Sequence, residues 1–213
     1  MGTMSVFFRF SNAAAILPMV LLGACGSTSG GEAPPDPLNF SSTQSALDQV
    51  LVLEDLLVSS PTPIDQLPSG SVSYNGLIAV SSDATDIEDS SQVASDPLFA
   101  VGQMTIDADF SNGAVTGVGD HFIDGNDNQI EGELVLDAGT NFMGSGPGSF
   151  VGTIAGDILP ANGYTHSYDL EVEGSFLGGN AETVVGGGSG DFDLTTSGVT
   201  ETIPFFIGFI AQQ

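Results

Sequence analysis

The feature that most narrows what this chain can fold into is a change of hydrophobic period near Pro68. Beyond it, apolar residues recur at every second position, most clearly where Tyr168, Leu170, Val172, Gly174 and Phe176 alternate with Asp169, Glu171, Glu173 and Ser175. A period of two sends alternate side chains to opposite faces, so such a run reads as a half-buried strand with one wet face. The same alternation sets Gly102, Met104, Ile106, Ala108 and Phe110 against Val101, Gln103, Thr105, Asp107 and Asp109. It also sets Ile130, Gly132, Leu134 and Leu136 against Glu131, Glu133, Val135 and Asp137, and lines Phe150, Gly152, Ile154, Gly156 and Ile158 along one side of the next run. Segments 72–80, 115–123, 184–194 and 202–211 bring the count to about eight strands.

Turn-forming residues separate these runs: Ser111, Asn112 and Gly113; Asp124 to Asn128; Gly146, Pro147 and Gly148; Ala161, Asn162 and Gly163. All are hairpin chemistry, so the strands follow one another as a meander, which hides its edges most simply by closing on itself. Glycines at 132, 152, 156 and 174 on the inward faces permit the coiling that a narrow barrel needs. The acids occupy one face of nearly every strand, which leaves the other for an apolar core. A barrel that spans a membrane needs the opposite arrangement. The expectation is therefore an all-β fold: a single closed eight-stranded antiparallel β-barrel of soluble type over residues 68–213. The last strand, Ile203 to Ile210, is apolar on both faces, so its outside is expected to be covered by the preceding helix or tether.

Ahead of the barrel, Ala46, Leu47, Val50, Leu51, Leu53, Leu56 and Leu57 recur at spacings of three and four, which predicts an amphipathic helix over 43–58. Ser42 or Thr43 is its expected cap, and Pro61 and Pro63 end it. Residues 1–24 have the form of a secretory signal: a polar start with Arg9, then an apolar run of about ten residues interrupted by Pro18, against the roughly 20 that a spanning helix needs. Leu22, Gly23 and Ala24 precede Cys25, the only cysteine, and resemble the lipobox of bacterial lipoproteins. That resemblance implies cleavage before Cys25 and its acylation, which anchors the chain to lipid. Gly26 in second place implies the outer membrane. Residues 25–42, rich in Gly, Ser and Pro, read as a flexible tether. A lone cysteine excludes an internal disulfide framework.

Charge then removes whole classes of function. The chain holds 27 Asp and Glu against one Lys or Arg, which is Arg9. Cleavage before Cys25 leaves no Lys or Arg at all, so binding to a nucleic-acid backbone through cationic side chains is excluded, as is lysine-based P-loop or Schiff-base chemistry.

Three groups of residues in order carry a further resemblance: Pro68, Gly70, Tyr74 and Gly76; then Ile106, Asp109, Phe110, Val115 and Gly117; then Gly174, Phe176, Gly178, Ala181, Val184 and Gly186. The last has the form G-x-F-x-G-x-x-A-x-x-V-x-G. Together they resemble the β-barrel domain of the transferrin-binding protein B family of surface lipoproteins. The resemblance implies a non-enzymatic binding protein on the outer membrane, in a family that captures host iron proteins, complement regulators or haem carriers. This chain has a single barrel and lacks the basic residues and long loops that grip a large host protein, which counts against transferrin itself. Its expected partners are the membrane lipid, through Cys25, and an unidentified protein or small molecule, bound by a monomer. The alternative is a structural or assembly lipoprotein of the envelope with no diffusible ligand. In a third reading the interior holds an apolar ligand in the manner of a lipocalin, although Phe110, Phe150 and Phe176 fill that space.

No cofactor is expected. His121 shares strand phase with Val115, Gly117 and Ile123 and so is expected to point inward, and His166 has Tyr164 and Tyr168 nearby; both histidines are weak candidates for haem or a metal. Asp120, Asp124, Asn126, Asp127 and Asn128 offer oxygens for Ca²⁺, but without the distal glutamate of an EF-hand loop, so a solvated turn is the simpler reading. Asp83, Asp86, Glu88 and Asp89 read likewise as a solvated acidic loop. Catalysis lacks support: no G-x-S-x-G elbow accompanies either histidine, and paired acids such as Glu171 and Glu173 sit on the wet face.

Overall fold

The structure, a computed structural model, describes residues 42–46, 48, 60–82, 96, 98–138, 148–159, 165–196 and 199–213. The signal, Leu22 to Cys25, the tether, most of the predicted helix, the acidic stretch 83–89, Gly146, Pro147, the turn at 161–163 and Tyr164 lie outside the described residues.

The period-two segments form eight strands: β1 (Ser71–Ser81), β2 (Ala100–Asp109), β3 (Ala114–Asp124), β4 (Glu131–Ala138), β5 (Ser149–Leu159), β6 (His166–Leu177), β7 (Thr183–Thr196) and β8 (Val199–Gln212). Each pairs antiparallel with the next, and β8 pairs with β1, so the barrel is closed. Alternation decides the two faces. Tyr74, Ile106, Leu134, Ile154, Val172 and Phe209 belong to one buried cluster inside, while Asp107, Glu133, Asp157, Asp169 and Glu171 project outward.

The register spaces the outward charges. Ser73, Asp107, Thr116, Asp137, Thr153 and Glu171 are successive cross-strand partners, so hydroxyls alternate with carboxylates along the row. Ser73 donates to Asp107, and elsewhere Ser167 donates to Asp157 at 2.6 Å. Like charges set directly opposite destabilise a sheet. Among the described residues one such pair of acids occurs, Glu133 and Asp157.

The interior is filled by side chains. Phe176 sits among Phe110, Phe150 and Tyr74, with ring centroids 4.9, 5.5 and 5.9 Å away. Glycines on the inner faces do not leave open space: Gly174 faces Phe150 and Gly186 faces Phe209 across the ladder, and a Cβ at either glycine would overlap the facing ring. At these two positions the aromatic rings occupy the volume that the glycines free, which weighs against a lipocalin-like interior ligand there. Gly132, expected on an inward face, is exposed. Like its near neighbour Gly156 it has φ near +150°, a conformation that other residues avoid, and it allows β4 and β5 to approach closely.

A strap over residues 60–67 closes one end of the barrel, here called the strap end. Thr62 donates its N–H to the Phe176 carbonyl (2.8 Å) and its hydroxyl to the Gly178 carbonyl (2.7 Å). A single 3-10 turn, Ile64–Gln66, follows. At the opposite loop end, Asp96 ties the chain by accepting from Ser81 Oγ, Ser82 N–H, Ser82 Oγ and Leu98 N–H at 2.7–2.9 Å. Residues 43–46 and 48 are helical, with Ser42 Oγ accepting from the Ser45 N–H at 3.2 Å as an N-cap does. Leu77, Val101, Ile123 and Ile210 lie on the outward side of adjoining strands, yet all are buried.

Candidate functional site

The G-x-F-x-G-x-x-A-x-x-V-x-G residues of the sequence resolve into physical roles at the strap end. Gly174 makes room for the Phe150 ring, Phe176 is the centre of the aromatic cluster, and Gly178 turns the chain at φ +89°. Ala181, at φ +56°, is fully buried. Its carbonyl accepts from the Tyr74 hydroxyl at 2.8 Å and from Gln213 Nε2 at 2.9 Å. A larger side chain at Ala181 would meet both a strained backbone and a filled interior. Val184 is buried and Gly186 lies under Phe209. Gly76 and Gly117 are buried where strands approach, Phe110 packs on the core's rim, and the Asp109 carboxylate accepts from the Ser111 N–H at 2.9 Å. These residues build the β6–β7 hairpin and the end it closes.

Burial acts on the two interior tyrosines in the same way. Desolvation pushes the Tyr74 hydroxyl well above its usual pKa, with the Gln213 contact acting weakly in the opposite direction. Tyr168 is raised chiefly by burial and further by the negative charge of Asp96. Both hydroxyls remain neutral at any physiological pH.

His121 does not point inward. Val101 pairs with Ile123 and Gln103 with Asp120, so Gly102 alone faces two residues, His121 and Phe122. This β-bulge shifts the phase of β3: Phe122 takes the inward place, and His121, at φ +51°, is thrown outward. Its side chain is 72% exposed, and its Nδ1 lies 2.7 Å from Asp120 Oδ1. His166 faces the interior at the start of β6, where burial lowers its pKa and favours neutral imidazole. The two histidines are therefore on opposite sides of the sheet.

The acidic turn after β3 uses its own oxygens. Asp124 Oδ1 accepts from the N–H groups of Asn126 (2.8 Å) and Asn128 (2.9 Å), and the Asn128 amide reaches both carboxylate oxygens. Burial alone raises the Asp124 pKa, but these donors outweigh it and hold the carboxyl below its usual value. Asp127 Oδ1 accepts from the Thr43 N–H at 2.6 Å, and Thr43 Oγ1 donates to the Asp124 carbonyl at 2.8 Å. Among the described residues no three His, Cys, Asp or Glu side chains converge as metal ligands, so His121, Asp124, Asp127 and His166 are not brought together. Sequence reasoning missed the Thr62 strap and the Tyr74–Ala181–Gln213 contact, which join segments far apart in the chain, and the Asp96 clasp, which closes the loop between β1 and β2 without a turn motif to mark it.

No protein-family model matches the chain, and no curated protein matches it. Solved structures do. A crystal structure of the vaccine antigen transferrin binding protein B from Haemophilus parasuis Hp5, a Trp-to-Ala mutant, is similar with a TM-score of 0.45 and 17% identity. The likeness covers 72% of this chain and 28% of that one. A double mutant of the same protein gives a TM-score of 0.40 and 19% identity over the same shares. The chain thus spans just over a quarter of the length of the protein it resembles.

Proposed function

We propose that this chain is a lipoprotein of the outer membrane that displays a non-enzymatic binding barrel at the cell surface. One observation carries the reading: the barrel keeps Tyr74, Phe150, Phe176 and Phe209 inside and carboxylates such as Asp107, Glu133 and Glu171 outside, so it cannot sit in a bilayer by its own strands, while the only cysteine directly follows a lipobox-like Leu22, Gly23 and Ala24. Several acyl chains at ~0.8 kcal/mol per buried CH₂ hold such a chain stably at a membrane.

With the interior filled, binding falls to the loops and the outer surface, where the partner meets carboxylates and no lysine or arginine. Capture of a nutrient carrier, an iron or haem protein among them, is the partner class suggested by the sequence motif; transferrin itself is not part of the proposal. The filled interior also suits the alternative, an envelope spacer or assembly factor without a diffusible ligand. Palmitate labelling of cells expressing the full chain tests the anchor. Incorporation that is lost in Cys25→Ser, together with release of the variant from membranes, is the expected result. Equal membrane retention of Cys25→Ser with no incorporated label would overturn it.

A further inference from the structure

We propose that a band across the outside of β3, β4 and β5 is a docking surface for an amphipathic helix of another protein, one whose aliphatic ridge is flanked on both sides by lysine or arginine. The inference deepens the reading of the barrel as a binding module and rests on that reading, though not on the anchor at Cys25. Val118, Val135 and Ala155 are successive cross-strand partners, and all three are exposed, the two valines at 37% and 42%. A single valine on a sheet surface is ordinary. Here two stand directly opposite each other, and Thr105 continues their row onto β2. By contrast Leu77, Val101, Ile123 and Ile210, which also face outward, are buried. The band on β3 to β5 is left open to solvent.

Charge and width choose the occupant. Two residues from the band toward the loop end, on the same three strands, stand Asp120, Glu133 and Asp157. Two residues toward the strap end stand Thr116, Asp137 and Thr153, whose row continues to Asp107 on β2 and Glu171 on β6. Four residues of strand separate the two flanking rows, about 13 Å. An α-helix with its side chains is about 10–12 Å across, so one laid along the band sets its two flanks over the two acidic rows. About ten helical residues match the ~14 Å from Thr105 to Ala155. The outside of a barrel is convex, so the central pair Val118 and Val135 makes the closest contact. The carboxylates flank the band at about 7 Å, inside the Debye length of ~8 Å at physiological salt. No Lys or Arg follows Arg9, so a second copy of this chain brings only like charge. An added strand finds no edge, because β8 pairs with β1.

The test uses the full chain as purified from cells that make it, in a neutral detergent at physiological salt. The probe is a dye-labelled synthetic helix with leucines along one face and lysines on both flanks. Its control has the same composition with the leucines scattered around the helix, which keeps the charge and removes the ridge. Fluorescence anisotropy should show the ridged peptide binding several-fold more tightly than the control. The Val118→Thr, Val135→Thr variant keeps the β-branched shape that suits a strand and should weaken the ridged peptide by roughly five-fold, with little effect on the control. Ile64→Ser, at the exposed strap, should leave both unchanged. Glu133→Gln with Asp137→Asn should weaken the ridged peptide more than Asp65→Asn with Asp191→Asn, which removes as many charges from exposed sites elsewhere. Circular dichroism and urea midpoints confirm that each variant is folded. Equal binding of the two peptides, wild-type binding by the double threonine variant, or equal loss from the two charge pairs would each overturn the inference. The anchor and surface display are read separately, by palmitate labelling and by protease treatment of intact cells, so failure here leaves them standing and their failure leaves this result standing.

Discussion

Replacing Phe176 with alanine tests the packing on which the filled interior depends. The ring is fully buried and has three aromatic neighbours within 6 Å. Lost transfer energy plus the cavity left behind costs about 3–5 kcal/mol for a buried phenylalanine. The upper half of that range applies here, because Phe150 is held over Gly174 by the ladder and Tyr74 by its bond to the Ala181 carbonyl, so neither swings in to fill the void. For a domain of this size the expected fall in Tm is about 8–20 °C. Urea unfolding followed by far-ultraviolet circular dichroism is the assay; guanidinium chloride would screen the acids and confound the comparison. A Phe110→Ala cycle should return a coupling of about 0.5–1.5 kcal/mol with Phe176, as for aromatic pairs in contact. A loss below about 1 kcal/mol for Phe176→Ala, within reach of ordinary surface changes, would refute the reasoning.

Further outcomes follow from charge and burial. With 27 acids against one basic residue, Tm should rise markedly as NaCl is raised, and an unchanged Tm would contradict self-repulsion as a major term. Glu133→Thr restores the hydroxyl-opposite-carboxylate pattern against Asp157 and should stabilise by about 0.2–1 kcal/mol at low salt, with the gain fading at high salt; urea midpoints at the two salt levels decide it. Burial depresses the His166 pKa, so below its ordinary value of 6.5 the unfolded chain binds the proton more readily than the folded one. This contribution to stability is therefore complete above about 6.5 and is lost as pH falls toward the folded pKa. His166→Phe should flatten that part of the pH profile relative to the wild type, and identical slopes between neutral pH and pH ~5.5 would count against it.

The eight strands were legible because period two survives in each, and their observed limits differ from the sequence reading by one to three residues at most ends. The inward direction expected for His121 failed for a physical reason. A bulge is a relation between two strands, here two residues of β3 against Gly102 of β2, and a single strand's alternation does not contain it. Pro61 and Pro63 read in the sequence only as the end of a helix, whose last turns lie outside the described residues; the structure shows them in the strap, flanking Thr62, whose contact with Gly178 spans 116 residues of sequence. The motif glycines pointed to sharp coiling; which aromatic ring would lie over each was set by the register, and the register appears only once the strands pair.

The most direct test of the account as a whole is proteinase K treatment of intact cells that make the protein, followed by immunoblot, since a chain without lysine or arginine after Arg9 offers trypsin no site in its mature part. Digestion of the barrel with the outer membrane intact is the predicted result. Full protection, with digestion only after the outer membrane is opened, would contradict surface display and leave the envelope spacer as the reading to pursue.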